Sequence, residues 1–331
     1  MYYSNKIALL KDIFGTDHCE LKDDRLVIAG KEFPILNDVI ILLEPSKWPV
    51  SVRDKIRVNE ADSLGSSSDF AEDIQFTFGA EWVKYPHILD EHKRDFLSYF
   101  DIIDLNSLKN FRVCDLGCGI GRWSFFLLDK CRELVLVDFS EAIFVARENL
   151  RKADNAVFIM GDLTNLPLRD KFADFLFCLG VLHHLPVNAL QMVRQLKKFS
   201  SQILIYLYYS LDNRPWFHRV LLSVVTAIRS LVTKIRAPIF RSVFVELAAV
   251  LVYCPLIVLG KFLNLFGLAR YVPLEYYKGM SLKRIRQDVY DRFFTRIEQR
   301  FSRKEIMGLN DTFKNVKVSE NIPYWHFLCT D

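Results

Sequence analysis

Short apolar runs alternate with amphipathic stretches along the middle of the chain. The apolar runs are rich in Val, Ile, Leu and Phe, and they predict buried strands at 111–115, 134–138, 156–160, 173–179 and 202–208. The stretches between them predict helices at about 121–131, 140–152 and 187–199. This alternation predicts an α/β fold with a doubly wound, mostly parallel sheet, whose ligand binds at the carboxyl ends of the strands.

A glycine-rich turn follows the first of these strands, within residues 113–123. Gly117, Gly119 and Gly121 alternate there, so the backbone can adopt positive φ angles and approach a ligand closely. The spacing departs from the dinucleotide fingerprint G-x-G-x-x-G. A carboxylate, Asp115, stands two residues before the first glycine. It would repel a pyrophosphate and attract a ligand that carries an ammonium and a sulfonium group.

The turn resembles D/E-x-G-x-G-x-G, the first motif of the class I S-adenosylmethionine (SAM) dependent methyltransferases. The resemblance continues in the second strand at 134–140, in the third-strand motif at 161–167, and in the fourth strand with its following loop at 172–186. The matches have the order and spacing of the family and together span about residues 111–209. The resemblance therefore implies SAM as the cofactor.

The resemblance also implies which residues hold this cofactor. Asp138 is similar to the acid that accepts hydrogen bonds from both ribose hydroxyls, and Asp162 to the acid that faces the adenine amino group. Leu163 and Phe139 would sandwich the adenine ring. The implied cofactor site consists of Asp115, Gly117, Cys118, Gly119, Gly121, Asp138, Phe139, Gly161, Asp162, Leu163, Cys178 and Leu179.

His183 and His184 are the ionisable side chains of the loop 180–186, where the resemblance places methyl transfer. A neutral imidazole can take the proton from an oxygen, nitrogen or carbon acid that attacks the methyl group, because its pKa lies near the working pH. We therefore treat both as candidate catalytic residues. The alternative is that they cap the following helix or pack beneath the cofactor, the rate then coming from alignment alone.

Candidate acceptor-binding residues lie upstream and downstream of this core. In related methyltransferases an aromatic segment before the first strand folds over SAM, and Phe78, Trp82 and Tyr85 occupy that position here. An ordinary aromatic core cluster is the alternative. The candidates for contacting the acceptor are Trp82, Tyr85, Tyr209, Asp291 and Arg292.

Apolar segments at 25–29, 31–36 and 39–43 predict a three-stranded antiparallel unit within residues 1–60. It resembles the last strands of a zinc-ribbon module that precedes some methyltransferase domains. The paired cysteines of that module are missing and Cys19 stands alone, so we predict no metal and a lid or docking platform instead. The Ser-, Gly- and acid-rich stretch 61–72 predicts a linker.

The core is predicted to span 73–209 and to be completed by 303–331, with a helical cap at 210–302 inserted between its fifth and sixth strands. An insertion of this length indicates a function of its own. Its end, Asp291 to Phe301, resembles D-R-F…E-Q-R-F stretches in bacterial methyltransferases whose substrates are unassigned. A surface segment of salt bridges is the alternative.

Charge and hydropathy set the insertion apart from the rest of the chain. From 214 to 270 it has a single acid, Glu246, and eight basic residues, Arg214, Arg219, Arg229, Lys234, Arg236, Arg241, Lys261 and Arg270. They bracket fourteen uncharged residues, 247–260, that include Pro255. A helix needs about twenty residues to cross a bilayer. We therefore predict a broken apolar helix at the surface of an anionic membrane, with a packed helical cap or a dimer contact as the alternatives.

The remaining composition narrows the class of protein. The 331 residues are 51% hydrophobic, enough for a large core, and the seven cysteines form no C-x-x-C pair, which favours reduced thiols in the cytoplasm. We predict a Rossmann-like SAM-dependent methyltransferase acting on a small, lipid-like or amphipathic acceptor. We expect it to be cytoplasmic or peripheral at the membrane and to bind no nucleic acid, and a second copy of the chain is a candidate partner. The alternatives are a non-catalytic SAM-binding assembly or regulatory subunit and an RNA or protein methyltransferase.

Overall fold

The central sheet is built from strands of the core and strands near the N-terminus. The computed structural model describes residues 2–56, 86–235, 237–268, 271–274 and 277–331. Eleven strands in these residues form one sheet: β1 (Cys19–Lys22), β2 (Arg25–Ile28), β3 (Lys31–Leu36), β4 (Val39–Ile41), β5 (Arg112–Leu116), β6 (Glu133–Asp138), β7 (Ala156–Met160), β8 (Phe175–Leu179), β9 (Gln202–Tyr206), β10 (Asn315–Val318) and β11 (His326–Thr330). Their order is β1-β2-β3-β4-β7-β6-β5-β8-β9-β11-β10.

The middle of the sheet is parallel and buried on both faces. Strands β4, β7, β6, β5, β8 and β9 run in one direction, and β11 returns antiparallel to β9. Alternate residues serve two hydrophobic clusters: in β6, Val135 and Val137 face one and Leu134 and Leu136 the other. Both faces being apolar is typical of parallel sheets covered on each side. The predicted doubly wound, mostly parallel α/β fold is confirmed.

Helices cover the sheet and form the cap. They are α1 (Ile7–Phe14), α2 (Val50–Ile56), α3 (Glu91–Tyr99), α4 (Ala142–Asn149), α5 (Ala189–Leu196), α6 (Trp216–Val232), α7 (Pro238–Ala248), α8 (Cys254–Asn264), α9 (Leu282–Phe294) and α10 (Arg303–Met307). The helix predicted at 121–131 is instead a short 3₁₀ turn, Ser124–Leu127, in a stretch of aromatic residues with low helix propensity.

The N-terminal strands extend the central sheet. Three antiparallel strands were predicted from the sequence; the structure has four, and the last of them, β4, pairs in parallel with β7, Ile40 lying opposite Ile159. Every residue of β4 is buried, since this strand has the core on both of its faces. The predicted linker 61–72 and the aromatic residues Phe78, Trp82 and Tyr85 lie outside the described residues.

The cap helices have a hydrophobic core of their own. Val245, Ala249 and Tyr253 form a buried stripe that packs with Val289 and Phe294 of α9. The predicted break in the apolar helix is wrong: α7 and α8 are continuous through a π-helical turn, Ala249–Tyr253. Proline lacks an N–H and its ring collides with the carbonyl four residues earlier. The widened turn directly before Pro255 relieves that collision.

Candidate active site

A cavity of about 650 Å³ lies at the carboxyl ends of β5 to β9 and continues beneath the cap. Its position follows from the strand order. Strands β6 and β7 lie on one side of β5, and β8 and β9 lie on the other, which leaves a crevice between the ends of β5 and β8. Eight of the twelve predicted cofactor residues line it: Gly117, Cys118, Gly119, Asp138, Phe139, Asp162, Leu163 and Leu179. They form one end of the cavity.

The glycine turn forms the floor of that end. Gly117 has a φ of 77°, and a Cβ added there would lie 2.4 Å from a methyl group of Val181. No side chain fits between the turn and the loop after β8. The backbone N–H of Gly119 donates to Oδ2 of Asp138 over 2.8 Å, which ties the turn to the end of β6. The turn is therefore held open toward the cavity by backbone geometry.

Asp138 is fixed by hydrogen bonds on both of its oxygens. Oδ1 accepts from the backbone N–H of Ser140 over 2.8 Å and from its hydroxyl over 2.7 Å, while Oδ2 accepts from Gly119. Burial raises the pKa of this carboxyl, and the hydrogen bonds from Ser140 and Gly119 oppose the rise. A carboxylate held by several donors is an orienting acceptor for ligand hydroxyl groups.

Asp162 forms an ion pair with Lys47, a residue that was not predicted from the sequence. Lys47 Nζ lies 2.9 Å from Oδ2 of Asp162, and Thr164 donates to Oδ1 through its N–H and its hydroxyl. Burial would raise the pKa of Asp162, but the hydrogen bonds from Lys47 and Thr164 outweigh burial and lower it. Lys47 follows β4 and lines the cavity. No local pattern pairs two residues that lie so far apart in the chain.

The other predicted cofactor residues lie outside the cavity lining. Asp115 is buried, and its Oδ2 accepts from the hydroxyl of Ser124 over 2.6 Å. Burial raises the pKa of Asp115 to about 8, although that hydrogen bond opposes the rise. A carboxyl with this pKa is largely uncharged near pH 7, so the charge attraction inferred from the sequence does not follow from the structure. The remaining residues of this group are Gly121, Gly161 and Cys178.

The two histidines occupy different environments. His184 lines the cavity, whereas His183 is fully buried behind it and stacks on the ring of Tyr208 at 3.9 Å. Nδ1 of His184 lies 2.7 Å from the carbonyl oxygen of Ile297. A carbonyl only accepts, so Nδ1 carries the proton of the neutral ring and Nε2 has a lone pair. Burial lowers the pKa of His184, partly offset by Asp291, so the ring is neutral near pH 7.

Tyrosines and charged residues from β9 and α9 also line the cavity. Tyr206, Tyr208 and Tyr209 come from β9 and the residues after it, and Asp291 and Arg292 come from α9. The hydroxyl of Tyr208 donates to Oδ2 of Asp291 over 3.2 Å. Tyr209, Asp291 and Arg292 were predicted from the sequence to contact the acceptor, whereas Tyr206 and Tyr208 were not. Clustered tyrosines at a strand end were the signal available for them.

The segment 297–301 braces the loop that carries the histidines. The side-chain amide of Gln299 donates to the carbonyls of Leu185 and Val187 over 2.9 and 2.7 Å and accepts from the N–H of Ala189 over 3.1 Å. Its backbone N–H donates to the carbonyl of His183 over 2.9 Å. The segment is therefore an internal support of the candidate site. It does form salt bridges, as the alternative interpretation expected, but their side chains are largely buried and not on the surface.

Glu298, beside Gln299, joins the cap to this support. Its carboxylate lies 2.6 Å from Nη1 of Arg229 in α6 and 2.6 Å from Nε of Arg300. The side chains of Glu298 and Arg229 are 6% and 8% exposed. Burial would raise the pKa of Glu298, but Arg300 and Arg229 outweigh burial and lower it.

Part of the chain is similar to known proteins. Residues 113–200 match a family model described as a methyltransferase domain. Two curated relatives carry the name tRNA U34 carboxymethyltransferase. The protein from Trichodesmium erythraeum is 29% identical over 107 residues, 30% of this chain and 33% of its own length. That from Nautilia profundicola is 30% identical over 113 residues, 33% of this chain and 37% of its own length. The chain thus spans about a third of these relatives.

Two solved structures are similar to part of the chain at low sequence identity. Phosphoethanolamine N-methyltransferase 1 of Haemonchus contortus, solved with phosphoethanolamine and S-adenosylhomocysteine, is 20% identical with a TM-score of 0.37. The match covers 43% of this chain and 33% of that one. The PH0226 protein of Pyrococcus horikoshii is 24% identical with a TM-score of 0.35, covering 42% of this chain and 70% of that one.

Proposed function

We propose that this chain, whose core is a class I SAM-dependent methyltransferase domain, transfers a methyl group to a small amphipathic acceptor. The observation that carries the proposal is the continuity of the cavity. One end is formed by the glycine turn and the strand-end acids, and the other runs between cap residues such as Leu222 and Val225 of α6. An acceptor with a polar group near the tyrosines and an apolar part under the cap fits this shape.

SAM is the cofactor of this domain, and the described residues fit it. The backbone of Gly117 and Gly119 lines the cavity, and Asp138 is an acceptor whose oxygens are fixed by neighbouring donors. Asp162 and Phe139 line the same end of the cavity. When bound, SAM supplies an electrophilic methyl group. The protein's own contribution is to hold it, to align the acceptor and to exclude water.

His184 is the residue we assign to proton removal from the acceptor. It lines the cavity, its ring is neutral, and the carbonyl of Ile297 fixes the proton on Nδ1. The other nitrogen can accept a proton as the acceptor atom attacks. His183 acts on it indirectly by packing, because His183 lies outside the cavity lining.

An RNA acceptor is the second candidate. The observation in its favour is the name of the two relatives, tRNA U34 carboxymethyltransferase, which weighs against the expectation that no nucleic acid is involved. The apolar lining contributed by the cap favours the amphipathic molecule, since RNA sites rely on basic surfaces with exposed aromatic residues.

Label transfer from methyl-labelled SAM separates these candidates. The purified protein is incubated with labelled SAM and cell extract, and the lipid, soluble, RNA and protein fractions are counted. We expect label in the lipid or soluble fraction. Label in RNA would support the second candidate. SAM binding without label transfer or S-adenosylhomocysteine production would identify a non-catalytic SAM-binding subunit.

Asp138→Ala tests the cofactor site directly. The change leaves the hydroxyls of a bound ribose without their acceptor, at a cost of about 1.5–3 kcal/mol for hydrogen bonds to a charged group. We expect SAM affinity measured by calorimetry to fall at least tenfold while the protein remains folded. Asp170→Ala, which alters an exposed acid outside the cavity, is the matched control and should bind as the parent does. Equal affinity in the Asp138 variant would contradict the assignment.

A further inference from the structure

The cap exposes an unusual number of large apolar side chains, which we call the cap surface. Its members are each more than half exposed: Trp216, Val220, Val224, Leu231, Ile239, Val243, Leu247, Leu251, Val258, Phe262, Leu265 and Phe266. In the part of the chain that the structure describes outside 210–302, large hydrophobic residues this exposed are limited to Val50 and Leu97. Soluble proteins rarely leave such a concentration in water, and it marks an interaction surface.

On the helix Pro238–Asn264, the exposed apolar residues lie on the side that faces away from the cap core. The buried stripe of the cap core includes Val245 and Ala249, and the nearly opposite side of the helix bears Leu247, Leu251 and Val258. On a soluble surface helix that outer side would be polar. Among the described helices this one, at 27 residues, is long and apolar enough to cross a membrane by length and composition.

The packing of this helix against α9 favours a position along a membrane surface over one that crosses the bilayer. Its first half is held against α9 through Val245, Ala249 and Tyr253. Glu246 on the same half forms a bidentate ion pair with Arg286 of α9, at 2.6 and 2.7 Å. Crossing a bilayer would bring the charged helix α9 into the hydrocarbon, which is costly.

Basic residues outnumber acids among the exposed residues of 214–270. Arg219, Lys234 and Lys261 are exposed, and Glu246, the sole acid between 214 and 270, is occupied by Arg286. Not every basic residue counted in the sequence contributes to this exposed positive charge. Arg229 is buried against Glu298, and the buried Arg241 donates to the carbonyl of Ile235; Arg236 and Arg270 lie outside the described residues.

The cavity reaches this surface. Leu221 of α6 and Val252 of the π-helical turn line the cavity, yet they are 42% and 49% exposed. Leu256 of α8 also lines it. The apolar end of the cavity therefore opens among the apolar residues of the cap.

We propose that the cap surface docks on an anionic lipid bilayer and that the acceptor enters the cavity from the bilayer between α6 and α8, its apolar chain leading into the cap and its polar end reaching the tyrosines. This deepens the proposed function and rests on it. A second copy of the chain is disfavoured as the occupant, because the exposed Arg219, Lys234 and Lys261 would face like charges in a self-interface but are attracted to anionic lipid.

Vesicle flotation tests the docking. The full chain is mixed with phosphatidylcholine vesicles, or with vesicles that also contain phosphatidylserine, at low and at high salt. We expect flotation with the anionic vesicles and weaker flotation at high salt, since salt screens the basic residues while apolar insertion persists. Protein that stays behind under all conditions would overturn the proposal.

Two sets of substitutions separate the apolar and the charged contributions. Leu251→Glu with Val258→Glu should abolish flotation, and Val50→Glu with Leu97→Glu, the matched pair of exposed apolar sites outside the cap, should leave it unchanged. Arg219→Gln, Lys234→Gln and Lys261→Gln together should weaken binding to anionic vesicles roughly a hundredfold, at about fivefold per basic residue. Equal flotation of the two glutamate pairs would overturn the assignment of the surface.

Further measurements keep the outcomes distinct. Retention in the membrane after alkaline carbonate washing would show a spanning helix and overturn the surface mode. A stable dimer by sedimentation that does not float would identify a self-interface and overturn the lipid. Binding of S-adenosylhomocysteine is measured by calorimetry on every preparation. A protein that binds it but does not float would contradict the docking proposal and leave the proposed function standing. A protein that does not bind it would contradict the proposed function.

Discussion

Replacing His184 with glutamine should lower the turnover of methyl transfer by about 10²- to 10⁴-fold, the usual contribution of a positioned acid or base. Glutamine can still donate a hydrogen bond to the carbonyl of Ile297, which His184 contacts over 2.7 Å, but it cannot take a proton. SAM affinity should stay nearly unchanged, because the predicted cofactor contacts are made by other residues, among them the glycine turn and Asp138. S-adenosylhomocysteine production measures turnover, and calorimetry measures binding.

His183→Gln is the matched control for this prediction. His183 is buried behind the cavity wall, so its loss should affect stability more than the rate. Burial lowers the pKa of His184, which keeps the ring neutral to lower pH. The acid limb of the pH–rate profile should therefore lie below about 6.5, the ordinary value for histidine. Parent-like activity in both variants would remove the histidines from catalysis.

Glu298→Ala should reduce the free energy of unfolding by about 3–5 kcal/mol, because it leaves a buried arginine charge without its partner. The carboxylate contacts Arg229 and Arg300, both at 2.6 Å, and the Arg229 pair is almost fully buried. Denaturant unfolding measures the change. Glu320→Ala is the control, since the pair of Glu320 with Arg303 is largely exposed and should contribute less than about 1 kcal/mol.

The same pair has a pH signature. Arg300 and Arg229 lower the pKa of Glu298 in the folded protein despite its burial. Its contribution to stability is therefore complete above the unfolded pKa of about 4.3 and is lost as the pH falls through the lower, folded pKa. Replacing both Arg229 and Glu298 with apolar residues should restore much of the stability. Destabilisation in the double variant equal to that in Glu298→Ala would contradict this account.

Local patterns predicted the central sheet, and eight of the twelve residues that they assigned to the cofactor line one cavity. Strand period and order place Asp138 and Asp162 at neighbouring strand ends, and parallel strands bring such ends together. Contacts between residues far apart in the chain produce no local sequence pattern, so they could not be predicted. Lys47 reaches Asp162 from the N-terminal region, and Gln299 supports a loop more than a hundred residues earlier. The continuity of the apolar helix depends on a π-helical turn that hydropathy does not encode.

The pairing of β4 with β7 has a consequence for preparing shorter forms of the protein. Residues 113–200, which match the family model, exclude β4, so a fragment that begins at residue 86 would present β7 as an uncovered edge strand. All five residues of β7 are apolar and buried in the whole chain. Unpaired N–H and C=O groups along such a strand recruit strands from other molecules. The fragment should aggregate, so the autonomous folding unit includes the N-terminal strands.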